Sequence, residues 1–154
     1  ASTSDFRKSI EFIRSIYLHM NTIFARPNIF GGSTGAEIID ADRKDRNWYG
    51  YTYLGGWFRG GEKKASGERM DSIYLSAVLD KTAANDDWFI ATILHELAHY
   101  VGDTKPFSGI KDLAYGLPGS DKISHLTPSQ KMHNAQSYEH FAFEAGLGRD
   151  DPAA

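Results

Sequence analysis

His95-Glu96-Leu97-Ala98-His99 sets two imidazoles four positions apart with a carboxylate between them. On a helix that spacing puts both histidines on one face, one turn above the other. Two ring nitrogens then reach a single metal ion at about 2.0–2.1 Å each. Glu96 is rotated round the helix, where its carboxylate touches water at the metal rather than the metal itself. H-E-x-x-H on a helix is therefore a Lewis acid paired with a general base for attack on a carbonyl. The alternative is a chance pentapeptide of ordinary core or surface residues, but two histidines and a glutamate in an otherwise apolar helix are costly to desolvate unless something pairs them.

The flanking residues predict that helix. Asn85, Asp86 and Asp87 are N-cap candidates and place negative charge at the positive end of the helix dipole. Trp88, Phe89, Ile93, Leu94 and Leu97 supply apolar faces, and Tyr100-Val101 closes the run before Gly102, read as the C′ residue.

A catalytic zinc takes three protein ligands and keeps one position open. The extended pattern H-E-x-x-H-x-x-G-x-x-H matches at Gly102, but its third histidine falls on Lys105, whose ammonium is no ligand. A glutamate third ligand would be Glu139 or Glu144, and an aspartate would be Asp103 or Asp112.

Gly109-Ile110-Lys111-Asp112-Leu113-Ala114-Tyr115-Gly116 resembles the G-T-x-D-x-x-Y-G signature of the deuterolysin (aspzincin) family of zinc endopeptidases, which includes a lysine-specific branch. Asn134-Ala135-Gln136-Ser137-Tyr138-Glu139-His140-Phe141 resembles the N-A-D-x-x-E-x-F segment near the end of that family's domain. With the H-E-x-x-H helix, three motifs stand in family order over residues 95–141. The resemblance implies a zincin-like domain binding one Zn2+ ion through His95, His99 and Asp112. It implies Glu96 as general base and Tyr115 as electrophilic assistant at the substrate carbonyl. Glu139 and Gln136 occupy the positions that bind the substrate lysine in the lysine-specific branch. Ile110 stands in place of the signature threonine and Gln136 in place of the aspartate. One carboxylate still favours a cation, but strict lysine specificity is not expected. Two rival functions are a zinc amidase acting on cell-wall peptide and an inactive zincin that serves as a binding module. Retention of Glu96 and Tyr115 argues against the second, since structural zinc needs neither.

The 154 residues suit one domain with a sizeable core, at 41% hydrophobic, 24% charged and 13% aromatic. A net charge of −3 gives no footprint for nucleic acid, and no apolar run approaches the ~20 residues of a membrane span. A monomer acting on a protein or peptide substrate is expected. With no cysteine there is neither a disulfide nor a thiolate zinc site. Residues 1–26 carry charges throughout, so no signal peptide is read there, and the start at Ala1 suits a mature or excised domain. The familiar secreted fungal members use disulfides. Their absence points to a bacterial-type branch, with a secreted or toxin-like protein delivered outside the producing cell.

The elements that must position these residues read as α+β. Ser4 or Asp5 caps a first helix with an apolar stripe of Phe6, Ile10, Ile13, Tyr17, Met20 and Phe24, ending near Arg26-Pro27, with Glu11 and His19 solvated. After a turn-rich break at residues 31–35, strands are expected at residues 37–40, 48–54 and 55–58. Residues 60–70 read as a mobile surface loop, followed by a strand at residues 73–78. A strand feeding the motif helix matters because an extended peptide can add to a sheet edge by main-chain hydrogen bonds. Thr127 caps a single last helix from Pro128 to about Ala145. His125, His133 and His140 read as surface or core histidines rather than a second cation site. No serine stands in a nucleophile pattern, and Gly55-Gly56 and Gly60-Gly61 form no phosphate-binding loop.

Overall fold

The computed structural model describes residues 3–25, 37–41, 49–76, 86–102, 109–115 and 122–152. Helix α1 spans Thr3–Ala25, strand β1 Glu37–Ala41, β2 Gly50–Thr52 and β3 Ser72–Ser76. Helix α2, carrying the histidines, spans Asp86–Val101. Two short helices follow, α3 (Pro128–Met132) and α4 (Ala135–Phe141), and α4 runs on into a π-helical segment, Ala142–Leu147. The class is α+β. Among the described residues no helix is long and apolar enough to cross a membrane. Residues 31–35, Trp48, Asn85, Asp103, Lys105 and Gly116 lie outside the described residues, as do the side chains of Phe24 and Asp86.

Among the described residues the sheet has three strands, in the order β1-β3-β2. β1 runs parallel to β3, with Glu37 opposite Ser72 and Ala41 opposite Ser76. β2 runs antiparallel to it, with Gly50 opposite Leu75 and Thr52 opposite Ile73. The strand that leads toward α2 is thus the central one, and every residue of β3 is buried. Among the described strands, the edges belong to β1 and β2.

Helix α2 lies against β2, β3, α1 and α4. Leu97, Ala98, Tyr100 and Val101 join Ile73 and Leu75 of β3, Ile16, Met20 and Ile23 of α1, Ile110, and Ala135 and Tyr138 of α4 in one apolar core. Of the expected stripe, Met20 is buried and Ile13 and Tyr17 pack against the core, whereas Phe6 and Ile10 are exposed; Ile16 and Ile23, outside that stripe, are also inside. Helix α1 meets the core from Phe12 onward. Its N-terminal half runs beside α3 and α4, leaving an apolar groove of about 900 Å³ that none of the motif histidines lines. His19, expected in solvent, stands edge-on to Trp57 at 4.8 Å between ring centroids, and its Nδ1 is buried.

Other expectations give way to tertiary contacts. Residues 55–58 form a turn and a 3-10 helix, not a strand, and β2 is cut to three residues. Gly55 adopts φ 66°, and its N–H donates to the His99 carbonyl at 2.9 Å, satisfying one of the carbonyls left open at the end of α2. Gly56 sits under Tyr100, whose hydroxyl donates to the Asp71 carbonyl at 2.8 Å. Residues 60–67 are exposed and 68–70 half-buried, but the stretch is organised: Lys63 bridges Arg69, Met70 N–H donates to the Glu62 carbonyl, and Arg69 pairs with Asp71 at 2.9 Å. Gly102 has no positive φ; it is needed because a Cβ there would stand 3.0 Å from the Ile110 nitrogen. The last helix starts as expected, with a capping box between Thr127 and Gln130, but breaks at His133-Asn134.

A Cβ at position 56 would fall 2.7 Å from Tyr100 Cδ2 and 2.9 Å from the Met70 carbonyl oxygen. Gly56→Ala should therefore destabilise the fold by about 1–3 kcal/mol, the usual cost of overpacking. Chemical denaturation measures it, and an unchanged midpoint would show that this contact does not constrain the end of α2.

Candidate metal centre

Helix α2 is amphipathic for only its first turns; from Leu97 to Val101 it is buried on all sides, and His95, Glu96 and His99 are 9%, 7% and 5% exposed. Their polar atoms therefore need partners from elsewhere in the chain. The turn of the break at His133-Asn134 supplies the way in. Lys111 N–H donates to the His133 carbonyl at 2.8 Å, and Ala135 N–H to the Lys111 carbonyl at 2.9 Å, a parallel bridge between residues far apart in sequence. The fully buried Asn134 completes it, its Oδ1 accepting from Leu113 N–H at 2.9 Å and Ala114 N–H at 3.0 Å. This clamp presents Asp112 to the histidines of α2.

One oxygen of Asp112, Oδ1, lies 2.9 Å from His95 Nε2 and 3.1 Å from His99 Nε2. The other ring nitrogens are held from behind. His95 Nδ1 meets Glu139 Oε2 at 3.1 Å, and His99 Nδ1 meets the Ile110 carbonyl at 2.7 Å. Both Nδ1 atoms face acceptors, so each carries the proton in a neutral ring, and each Nε2 then turns a lone pair toward Asp112. Lone pairs against a carboxylate repel. Either the rings bind extra protons or a cation sits among the three groups. The donor atoms of His95, His99 and Asp112 lie within 4.8 Å of one another, so the residues present fit a metal ion, and no other such group occurs among the described residues. Asp112 is 37% exposed at the side chain, which opens the cluster to solvent on that side.

The electrostatics follow the geometry. Burial pulls the His95 imidazole down, but hydrogen bonds that it donates to Asp112 and Glu139 outweigh burial and hold it at about 10. His99 is raised in the same way against burial, chiefly by Asp112. Burial would raise Asp112, yet its hydrogen bonds to both histidines hold it well below the usual carboxylate range. Burial pushes Glu96 up against the pull of the two histidines. Tyr115 stacks nearly parallel on His95, with centroids 5.7 Å apart at 12°. Burial, then its hydrogen bond to Asp112, raises its hydroxyl above the ordinary tyrosine range.

Glu139 and Gln136, expected to bind substrate, are both buried and turned toward Asp151. Each is 3% exposed. Glu139 is committed to His95 and to a hydrogen bond with Asp151, where burial first and then Asp151 raise it to about 7. Gln136 Nε2 donates to Asp151 Oδ2 at 3.3 Å. Glu144, the other glutamate considered as a ligand, is exposed on the π-helical segment. His133 Nδ1 donates to the Ser129 carbonyl and His140 faces Asp151, so neither reaches Asp112.

Three residues that matter here drew no role from the sequence. Asn134 was legible only as a member of a motif, although an asparagine inside a helical run is itself a cap or break signal. Gly50 lets β2 approach α2, since a Cβ there would lie 3.2 Å from Glu96 Cγ. Asp151 sits among turn-forming residues that carry no local signal. Compared with known protein families, characterised proteins and solved structures, the chain shows no significant match.

Two outcomes follow. Asn134→Ala strands two amide donors and should cost about 2–3 kcal/mol in chemical denaturation while weakening divalent-cation uptake; a variant that keeps wild-type cation affinity would show that Asp112 finds its place without the clamp. In the metal-free protein His95 lies at about 10 against ~6.5 when unfolded. A raised folded pKa gives stability complete below about pH 6.5 and lost as pH rises through about 10. The thermal midpoint of metal-free protein should thus fall from pH 7 to pH 10, and a rise over that interval would contradict the His95 environment.

Proposed function

We propose that the chain is a zinc-dependent endopeptidase of zincin-like architecture, resembling the deuterolysins, with His95, His99 and Asp112 as the zinc ligands. The observation that carries this is the convergence of two imidazole Nε2 atoms on one Asp112 oxygen, directly beside Glu96. Two imidazoles and a carboxylate leave net positive charge on a divalent ion, which suits hydrolysis rather than a purely structural site.

When bound, the zinc ion supplies a Lewis acid that acidifies water and polarises the scissile carbonyl. Glu96 accepts the proton that the attacking water loses and returns it to the leaving amine nitrogen. Its near-complete burial raises its proton affinity, which favours taking that proton at neutral pH. Tyr115 keeps its hydroxyl proton and donates a hydrogen bond to the carbonyl oxygen as that oxygen gains charge. The open side of the cluster, at Asp112 and Tyr115, is where a peptide enters. Among the described strands β2 is the sheet edge that comes close to Glu96, at Gly50, and an extended peptide pairing with it would bring its carbonyl to that carboxylate. Because Glu139 and Gln136 are committed inside, lysine selectivity is not expected from them.

Zinc-loaded wild type and Glu96→Gln are compared on a complex peptide mixture by mass spectrometry. Internal cuts should appear only with wild type, and the variant should retain zinc while losing at least about a thousandfold in rate. Equal cleavage by both would remove Glu96 from the mechanism. Zinc bound in both with no cut in any peptide would favour a non-protein amide, such as cell-wall peptide, as the substrate.

A further inference from the structure

The described chain does not stop at α4. After the π-helical segment, Gly148 turns at φ 65° and the following residues come back against the helices. Arg149 reaches Asp87 at the start of α2, with NH2 2.6 Å from Oδ1. Two residues on, Asp151 is driven inside, with its side chain 1% exposed. Burying a carboxylate is costly without partners, and this one has two hydrogen-bond partners and a histidine close by. Gln136 Nε2 donates to its Oδ2, His140 Nε2 lies 3.1 Å from the same oxygen, and Glu139 shares a hydrogen bond with it. Glu139 in turn holds His95 Nδ1 at 3.1 Å.

We infer that Asp151 is a positioning residue for the cation site: through Glu139 it fixes the ring of His95, so that Nε2 is aimed at the point where His99 and Asp112 converge. The hydrogen bond between the two carboxyl groups holds the Glu139 carboxyl group in one rotamer. The remaining Glu139 oxygen then has a set direction, and that direction sets the tilt of the imidazole. Without Asp151, Glu139 is a buried carboxylate with one partner and is free to swing toward Gln136. A histidine ligand whose distal nitrogen loses its oriented acceptor typically loses about 10–100-fold in metal affinity.

The inference rests on the cation-binding reading, and its failure is separable from that reading's failure. Zinc affinity is measured by chelator competition, and cobalt(II) is bound to the same proteins for its visible absorption spectrum. Asp151→Ala should bind zinc about 10–100-fold more weakly than wild type and show a shifted, weakened cobalt spectrum. Asp151→Asn, whose amide can still donate to Glu139 and accept from Gln136, should recover affinity to within about threefold and restore the spectrum. Arg149→Ala cuts the same segment at its exposed anchor without touching the Asp151–Glu139–His95 line, and should leave both readouts unchanged. If Arg149→Ala and Asp151→Ala weaken zinc equally, the segment is only a strap and the inference falls. It falls also if Asp151→Ala binds as wild type does, or if Asp151→Asn is as weak as Asp151→Ala. Wild type that takes up neither metal removes the site and the inference with it.

Discussion

Two backbone N–H groups, of Leu113 and Ala114, donate to one buried oxygen on the Asn134 side chain, and the position of Asp112 follows from that pairing. Helix α2 brings His95 and His99 together by periodicity alone, but nothing on α2 supplies a third donor. It arrives from a segment with no regular secondary structure. That segment has direction only because the break between α3 and α4 offers it a backbone bridge and a side-chain acceptor. An unbroken helix over the same residues would have kept the Ala135 N–H for itself. The cost of interrupting the helix, a few backbone bonds, is offset by bonds to residues 111–114. Net hydrogen-bond contributions of about 0.5–1.5 kcal/mol make that exchange roughly neutral for stability. Its return lies in geometry.

The same economy explains why acidic side chains crowd the middle of the molecule. Glu96, Asp112 and Glu139 surround two histidines, and Asp151 stands behind Glu139. With both rings neutral, the carboxylates leave an excess of negative charge around them. Two added protons on the rings, or one divalent ion among them, reduce it. The high proton affinity of His95 is the proton-bearing answer to this imbalance, and a bound cation is the alternative that leaves the rings neutral. Ions and protons therefore compete for the same lone pairs, so cation uptake must release protons.

The sequence was most readable where structure is local. The α2 helix, its histidine face, the β3 strand and the Thr127 cap are set by residues within a turn or two of each other, and all of them are present. Asp112 could be grouped with the histidines because a motif carried it, not because any periodicity did. What escaped was tertiary. Gly55–Phe58 has strand composition, but an αL glycine and the face of Tyr100 impose a tight turn. The break at Asn134 answers to residues some twenty positions earlier. On α1 the apolar residues cover more than one face, and only packing decides which face is inside: Ile16 and Ile23 rather than Phe6 and Ile10. Asp151 has no sequence neighbour that predicts burial. Its partners are on α4, and Glu139, expected to meet substrate, is turned inward to meet it.

The clamp at Asn134 also orders events in time. Residues 95 and 99 can form their helix as soon as that stretch is free to fold, since its bonds are local. The segment carrying Asp112 cannot take its place until residues 133–135 are present, because its anchoring acceptors belong to them. Long-range closures of this kind form late, after local elements have paid little entropy to assemble. A chain emerging from the ribosome thus displays the H-E-x-x-H helix well before it has a complete set of donors. A cation held by His95, His99 and Asp112 together must therefore wait until residues 133–135 have been made and have folded against residues 111–114.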